Sequence, residues 1–141
     1  MNKYFACILS LILAGCVSMS EKSIPADPVL LKKSSLTKID MVKVGMAYKE
    51  VLAIMDSSVK VGYQQSDQGS MVFEPINLKQ PTRAEILTGQ GKNYEVLYYF
   101  TDINKADGMI VDDELTPLIF QDQKLIGKGW DFLFYLRKDM S

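Results

Sequence analysis

Tyr94-Glu95-Val96-Leu97-Tyr98-Tyr99-Phe100-Thr101 is the stretch on which the fold turns. Tyr94, Val96, Tyr98 and Phe100 recur with a period of two, the spacing that lines one face of a β-strand. The alternate set, Glu95, Leu97, Tyr99 and Thr101, is too apolar to be simply solvated. Working outward, Arg83 to Leu87 is expected to pair with this strand as a hairpin, because Gly89-Gln90-Gly91-Lys92-Asn93 is a suitable loop. Downstream, Leu115 to Phe120 reads as a further strand, turned by Gln121-Asp122-Gln123 into Lys124 to Trp130.

Further upstream, Lys60 to Gln64 and Ser70 to Phe73 read as two short strands around the turn cluster Ser66-Asp67-Gln68-Gly69. Pro75 and Pro81 bracket a stretch expected to be irregular, since proline cannot sit in a sheet centre. Before them the pattern is helical. Thr37 can N-cap a short helix carrying Ile39, Val42 and Met46 on one face. Gly45 marks a break and is expected to need a backbone conformation that a side chain would strain. A second helix from Met46 to Met55 supplies a buried stripe of Val51, Leu52, Ile54 and Met55, joined by Tyr48, and Asp56-Ser57-Ser58 stops it. Helices followed by an antiparallel meander predict an α+β domain. The expectation is two N-terminal helices packed on a three- to four-stranded antiparallel sheet, over residues 37–138.

The N-terminal end carries a different message. Lys3 precedes an apolar run from Tyr4 to Leu13, too short to span a bilayer and followed by Leu13-Ala14-Gly15-Cys16. This ending resembles the lipobox of bacterial lipoproteins. The resemblance implies a signal peptide over residues 1–15 and a multiply acylated Cys16 that fixes the chain to a membrane. Val17 and Ser18, with no aspartate beside the cysteine, resemble the pattern sorted to the outer membrane, with the domain facing the periplasm. Residues 16–36 read as the lipidated cysteine and a polar, proline-punctuated tether. Val29-Leu30-Leu31 is its one apolar patch and could dock on the domain.

Composition narrows the chemistry. The 141 residues carry 16 basic and 17 acidic side chains, so nothing points to nucleic acid or to a polybasic lipid-binding patch. Histidine is absent, which removes the commonest general base and rules out Ser-His-Asp, Cys-His and His-zinc arrangements. Of the two cysteines, Cys7 would leave with the leader and Cys16 would be consumed as the anchor. Carboxylates, lysines and tyrosines remain, but no spacing among them points to catalysis. A non-enzymatic domain without cofactor or metal is the expectation.

Two segments are candidate sites. Asp102-Ile-Asn104-Lys-Ala-Asp107-Gly108-Met-Ile110-Val-Asp112-Asp113-Glu114 resembles a calcium-binding EF-hand loop. Its aspartate and glycine come one residue late, and its closing glutamate falls at position thirteen. The alternatives are a calcium- or small-ligand-binding loop over 102–114 and a plain polar connection turned at Asp107-Gly108. The second segment, Trp130 to Lys138, is unusually apolar for its place. Asp131 could cap a short helix there, or the segment could extend the last strand. Trp130, Phe132, Phe134 and Leu136 are its candidate partner surface.

Ile39, then Val44-Gly45-Met46, Val51 and the apolar helix end at Met55 resemble the motif of the SmpA/OmlA (BamE-like) outer-membrane lipoproteins. The helix–helix–sheet order and the lipobox fit the same family. The resemblance implies a compact fold similar to the β-lactamase-inhibitor-protein type. It also implies a non-catalytic role with an envelope protein partner, in outer-membrane assembly or integrity. Asp56-Ser57-Ser58 stands where that family usually has Gly-x-Pro, and the segment from Tyr94 to Trp130 does not match its assembly factor. None of that factor's partner-binding residues is carried over.

Overall fold

The computed structural model of the chain describes residues 24–25, 27–67, 72–104 and 109–141. The expected signal peptide, Cys16 and the part of the expected tether before residue 24 lie outside the described residues, as do Asp107 and Gly108. In chain order the elements are β1 (Ile24–Pro25), α1 (Pro28–Met41), α2 (Tyr48–Ile54), β2 (Ser58–Gln65) and β3 (Phe73–Lys79). Then come β4 (Arg83–Gly89), β5 (Lys92–Phe100), a 3-10 turn (Asp112–Glu114), β6 (Leu115–Gln121), β7 (Lys124–Lys128) and α3 (Trp130–Asp139). All strand pairs are antiparallel, so the molecule is α+β. The single meander under two helices is corrected on both counts. The strands form two sheets, ordered β1-β2-β3 and β4-β5-β6-β7, and helices stand at both ends of the described fold.

The four-stranded sheet is covered on both faces, as the composition of β5 requires. Leu97, Tyr99, Leu118, Phe120 and Leu125 meet Ile39 and Val42 from the α1 end and Val51 of α2. On the other face Val96, Tyr98, Phe100, Leu115 and Ile119 meet Leu133 of α3. Cross-strand pairs such as Val96–Ile119 and Leu97–Leu118 keep each set on its own side. Two tight turns close the meander. Gln90 and Gly91 both have positive φ, as do Asp122 and Gln123, the backbone that matches two-residue hairpins to strand twist.

α1 begins well before Thr37. Asp27 accepts hydrogen bonds from the N–H groups of Val29 (2.9 Å) and Leu30 (3.4 Å), and Pro28 occupies the first turn. Residues 28–36, expected as spacer, are therefore helical. Leu31, Ser35 and Ile39 form the buried stripe, in which a serine interrupts the apolar pattern. At the other end of α1 the Lys128 ammonium donates to the carbonyls of Ile39 (2.7 Å) and Val42 (3.1 Å), neutralising the helix C-terminus.

Gly45 has φ of +93°, the conformation expected of it. After it the chain does not enter a helix at Met46. Instead Gly45 N–H donates to the Leu125 carbonyl (2.8 Å), Leu125 N–H to Met46, and Tyr48 N–H to Gln123. This short segment covers the outer edge of β7, which would otherwise expose unpaired amides. α2 then starts at Tyr48, with Glu50 reaching back to the Ala47 N–H (2.9 Å).

The strand expected at 70–73 instead runs from Phe73 to Lys79 and includes Pro75. β3 is the outer strand of its sheet, where a missing N–H costs the ladder little. Pro117 lies in β6, an inner strand. It pairs with Tyr98 on one side, and on the other its carbonyl accepts from Gly129 N–H (2.8 Å), just past the end of β7. At the opposite edge the buried Gln80 side chain imitates a strand residue. Its amide donates to the Phe100 carbonyl and accepts from the Phe100 N–H, each at 3.1 Å.

Candidate functional site

α3 is held against its sheet at both ends. Its first turn is fixed by Gly129 N–H on Pro117 and by the Trp130 indole N–H, which donates to the Leu115 carbonyl at 2.7 Å. Phe132 lies flat against Gly127, where a Cβ would come within 2.2 Å of the ring. The far end reaches β4. Arg137 pairs with Glu85 and donates to the Tyr98 hydroxyl (3.3 Å), while Gln90 Nε2 donates to the Asp139 carbonyl (2.6 Å). Tyr98 in turn donates to Glu85 at 2.5 Å and lies under the Arg83 guanidinium, 3.9 Å from the ring centre. Burial first, then the Glu85 contact, raises the Tyr98 pKa, so its phenol stays protonated.

This anchoring sorts the four residues expected to form a partner surface. Trp130, Phe132 and Leu136 pack on the core, and only Phe134 points outward, 65% exposed. Tyr135, 67% exposed, stands beside it with ring centres 5.6 Å apart in an edge-on arrangement. Even spacing at 130, 132, 134 and 136 suits a strand face. On a helix with 3.6 residues per turn, 133, 136 and 140 turn inward and 134 and 135 turn outward. On this helix Phe134 and Tyr135 are the adjacent exposed aromatic pair, while Trp130, Phe132 and Leu136 are partly buried against the core.

The acidic 102–114 segment is organised from within over its described part. Glu114, 1% exposed, accepts from the N–H groups of Asn104 (2.8 Å) and Val111 (3.3 Å). Asp102 pairs with Lys32 at 2.5 Å and Asp112 with Arg83 at 3.0 Å. These carboxylates are spent on cations and amides that hold the loop to α1 and β4. Among the described residues no group of three or more acidic, histidine or cysteine side chains is placed to hold a metal ion.

A cleft of about 510 Å³ opens between α1 and β2, and nothing in the sequence pointed to it. Leu30, Ser34 and Lys38 line one wall, Val59 and Tyr63 the other, and Tyr99 reaches it from the sheet. Its cations are engaged. Lys38 pairs with Asp56, and Lys60 donates to the Tyr63 hydroxyl (2.6 Å) while sitting over that ring. Burial, then the neighbouring Tyr48, pushes the Tyr99 phenol up to about 12, too high for a base near neutrality.

The family described as "Protein of unknown function (DUF3192)" matches residues 76–133, from the second half of β3 through β7 into α3. No curated protein and no solved structure matches the chain. Among the described residues no helix is long and apolar enough to cross a membrane.

Proposed function

We propose that this chain is a non-catalytic envelope lipoprotein. Acylated Cys16 holds it to the outer membrane, and its periplasmic domain contacts a protein partner in support of membrane assembly or integrity. The observation that carries the contact is the Phe134–Tyr135 pair on the outer face of α3. Two adjacent aromatics facing water on a helix whose opposite side is locked are the rigid, low-entropy anchors that protein interfaces favour. The lipobox-like Leu13-Ala14-Gly15-Cys16 supports the anchor, and the SmpA/OmlA-like motif from Ile39 to Met55 supports the assembly role. The absence of histidine and the protonated state of the buried tyrosines support a domain without acid–base chemistry. The calcium reading of 102–114 is the weaker one, because Asp102, Asp112 and Glu114 are already committed.

A photo-crosslinking residue at position 134 or 135, in intact cells, tests the contact. One defined protein adduct is expected there and none from position 86, an exposed isoleucine on β4. Equal labelling from both places, or none from α3, removes the assigned surface. Cys16→Ser tests the anchor separately and is expected to move the protein out of membrane fractions with its melting temperature unchanged.

A further inference from the structure

The geometry points to the cleft between α1 and β2 as the binding site of one elongated apolar monocarboxylate, a free medium-chain fatty acid, with its head towards Lys38 and Tyr99. This site goes beyond the partner contact on α3 and stands whether or not that contact holds.

Two buried hydroxyls mark the cleft as a place for a ligand. Ser35 is 9% and Tyr99 2% exposed, and among the described residues neither hydroxyl has a hydrogen-bond partner. No side-chain oxygen or nitrogen of the described residues is shut off from solvent without one, so both hydroxyls open onto space. The cleft that Ser35 and Tyr99 both line is that space. A largely buried hydroxyl left unpaired is costly, and a ligand oxygen beside it recovers the lost hydrogen bond. Gln80, at the edge of the same cleft, shows the ordinary outcome by spending both atoms of its amide on Phe100.

The unspent chemistry of the lining is donor chemistry. Asp27 is committed to the amides of Val29 and Leu30, and Asp56 to Lys38. The Tyr99 phenol stays protonated near neutrality and so can donate. Lys38 and Lys60 give only part of their donor capacity to Asp56 and to the Tyr63 hydroxyl. Lys38 is also the deeper member of its pair, its side chain 28% exposed against 57% for Asp56. A ligand head must therefore bring acceptors, and two ammoniums favour a carboxylate over a neutral or cationic head.

Shape sets the rest of the ligand. Leu31, Ser34, Ser35 and Lys38 lie three and four residues apart and share one flank of α1, about 10 Å long. Leu30 and Leu31 are two turns from Lys38, and Met55 and Val59 add apolar surface, so a tail runs along the helix away from the head. The volume of about 510 Å³ lies within the roughly 300–1,000 Å³ of small-molecule sites.

The test titrates the full chain carrying Cys16→Ser, which has no acyl groups of its own to compete for the cleft. Sodium decanoate, decanol and decylammonium are added separately in a calorimeter, below the concentrations at which they form micelles. One decanoate is expected to bind per chain, at least about tenfold more tightly than either of the other two. Tyr99→Phe and Lys38→Gln are each expected to weaken decanoate binding at least about fivefold, whereas Lys92→Gln, an exposed residue at the start of β5, leaves it unchanged. Melting curves of the variants show that each is folded, and Lys38→Gln decides the matter if Tyr99→Phe is not. No heat with decanoate, equal affinity for the three heads, or undiminished binding by the folded variants overturns the site. None of these results bears on crosslinking from 134 and 135, so the two readings fail separately.

Discussion

The two sheets of this molecule are built from similar strands and serve opposite ends. In the β4–β7 sheet, β5 and β6 are buried almost along their length and covered by helices on both faces. In β2 and β3 the residues alternate between exposed and half-covered, and the turn end presents apolar side chains to water. Free energy of folding scales with apolar area removed from solvent, so the four-stranded sheet carries the stability and the hairpin is free to make contacts. Amide exchange should show this directly, with β5 and β6 protected to near the global limit and the turn end of β2–β3 exchanging far earlier.

The largest expected break is Gly127→Ala. The new methyl would occupy the place of the Phe132 ring, so α3 must lift from the sheet, at a cost of about 3 kcal/mol read from urea denaturation. Gln80→Ala strips both partners from the Phe100 backbone at the sheet edge and should cost about 2 kcal/mol. Gly45→Val places a β-branched residue at φ +93° beside β7 and should cost about 1–2 kcal/mol. An unchanged melting temperature there would refute that use of Gly45. Phe73→Ala, on the hairpin, should change stability by less than about 0.5 kcal/mol. A cost near that of Gly127→Ala would erase the contrast between the sheets.

Alkaline pH sharpens the same contrast. Tyr99 lies inside the covered sheet, and its folded pKa of about 12 exceeds the ordinary value of 10.0. The folded state prefers the neutral phenol, so this contribution is complete below pH 10 and is lost as pH rises through 12. Wild-type protein should lose stability over that window more steeply than Tyr99→Phe, measured as the urea midpoint at each pH. Burial also raises Tyr48 and Tyr98, which leaves the variant a residual slope.

Much of the covered sheet was legible in advance. Period-two spacing in Tyr94 to Thr101, the loop glycines before it and the Asp122-Gln123 turn placed all four of its strands, with β4 on β5 and β6 on β7. The hairpin was harder, because Pro75 argues against a strand unless that strand is known to be outermost. α1 was hidden although its start signal, Asp27-Pro28, was present. Ser34 and Ser35 interrupt the apolar pattern, although Ser35 itself is buried in the stripe. The exposed aromatic pair on α3 was half legible, since the aromatics were plain but the choice between periods of 2 and 3.6 was open.

Sequence by itself determined the local terms: strand alternation in β5, the left-handed glycine at 45, the lack of histidine and the lipobox-like stretch Leu13-Ala14-Gly15-Cys16. Each depends on residues a few positions apart, where backbone sterics and side-chain chemistry act without help. Tertiary structure alone decided that the strands divide into two sheets, that Gln80 and Trp130 complete backbone ladders, and that Phe134 and Tyr135 face outward while Phe132 does not. Those outcomes depend on partners from 15 to 20 residues away or more, brought together only when the apolar faces close.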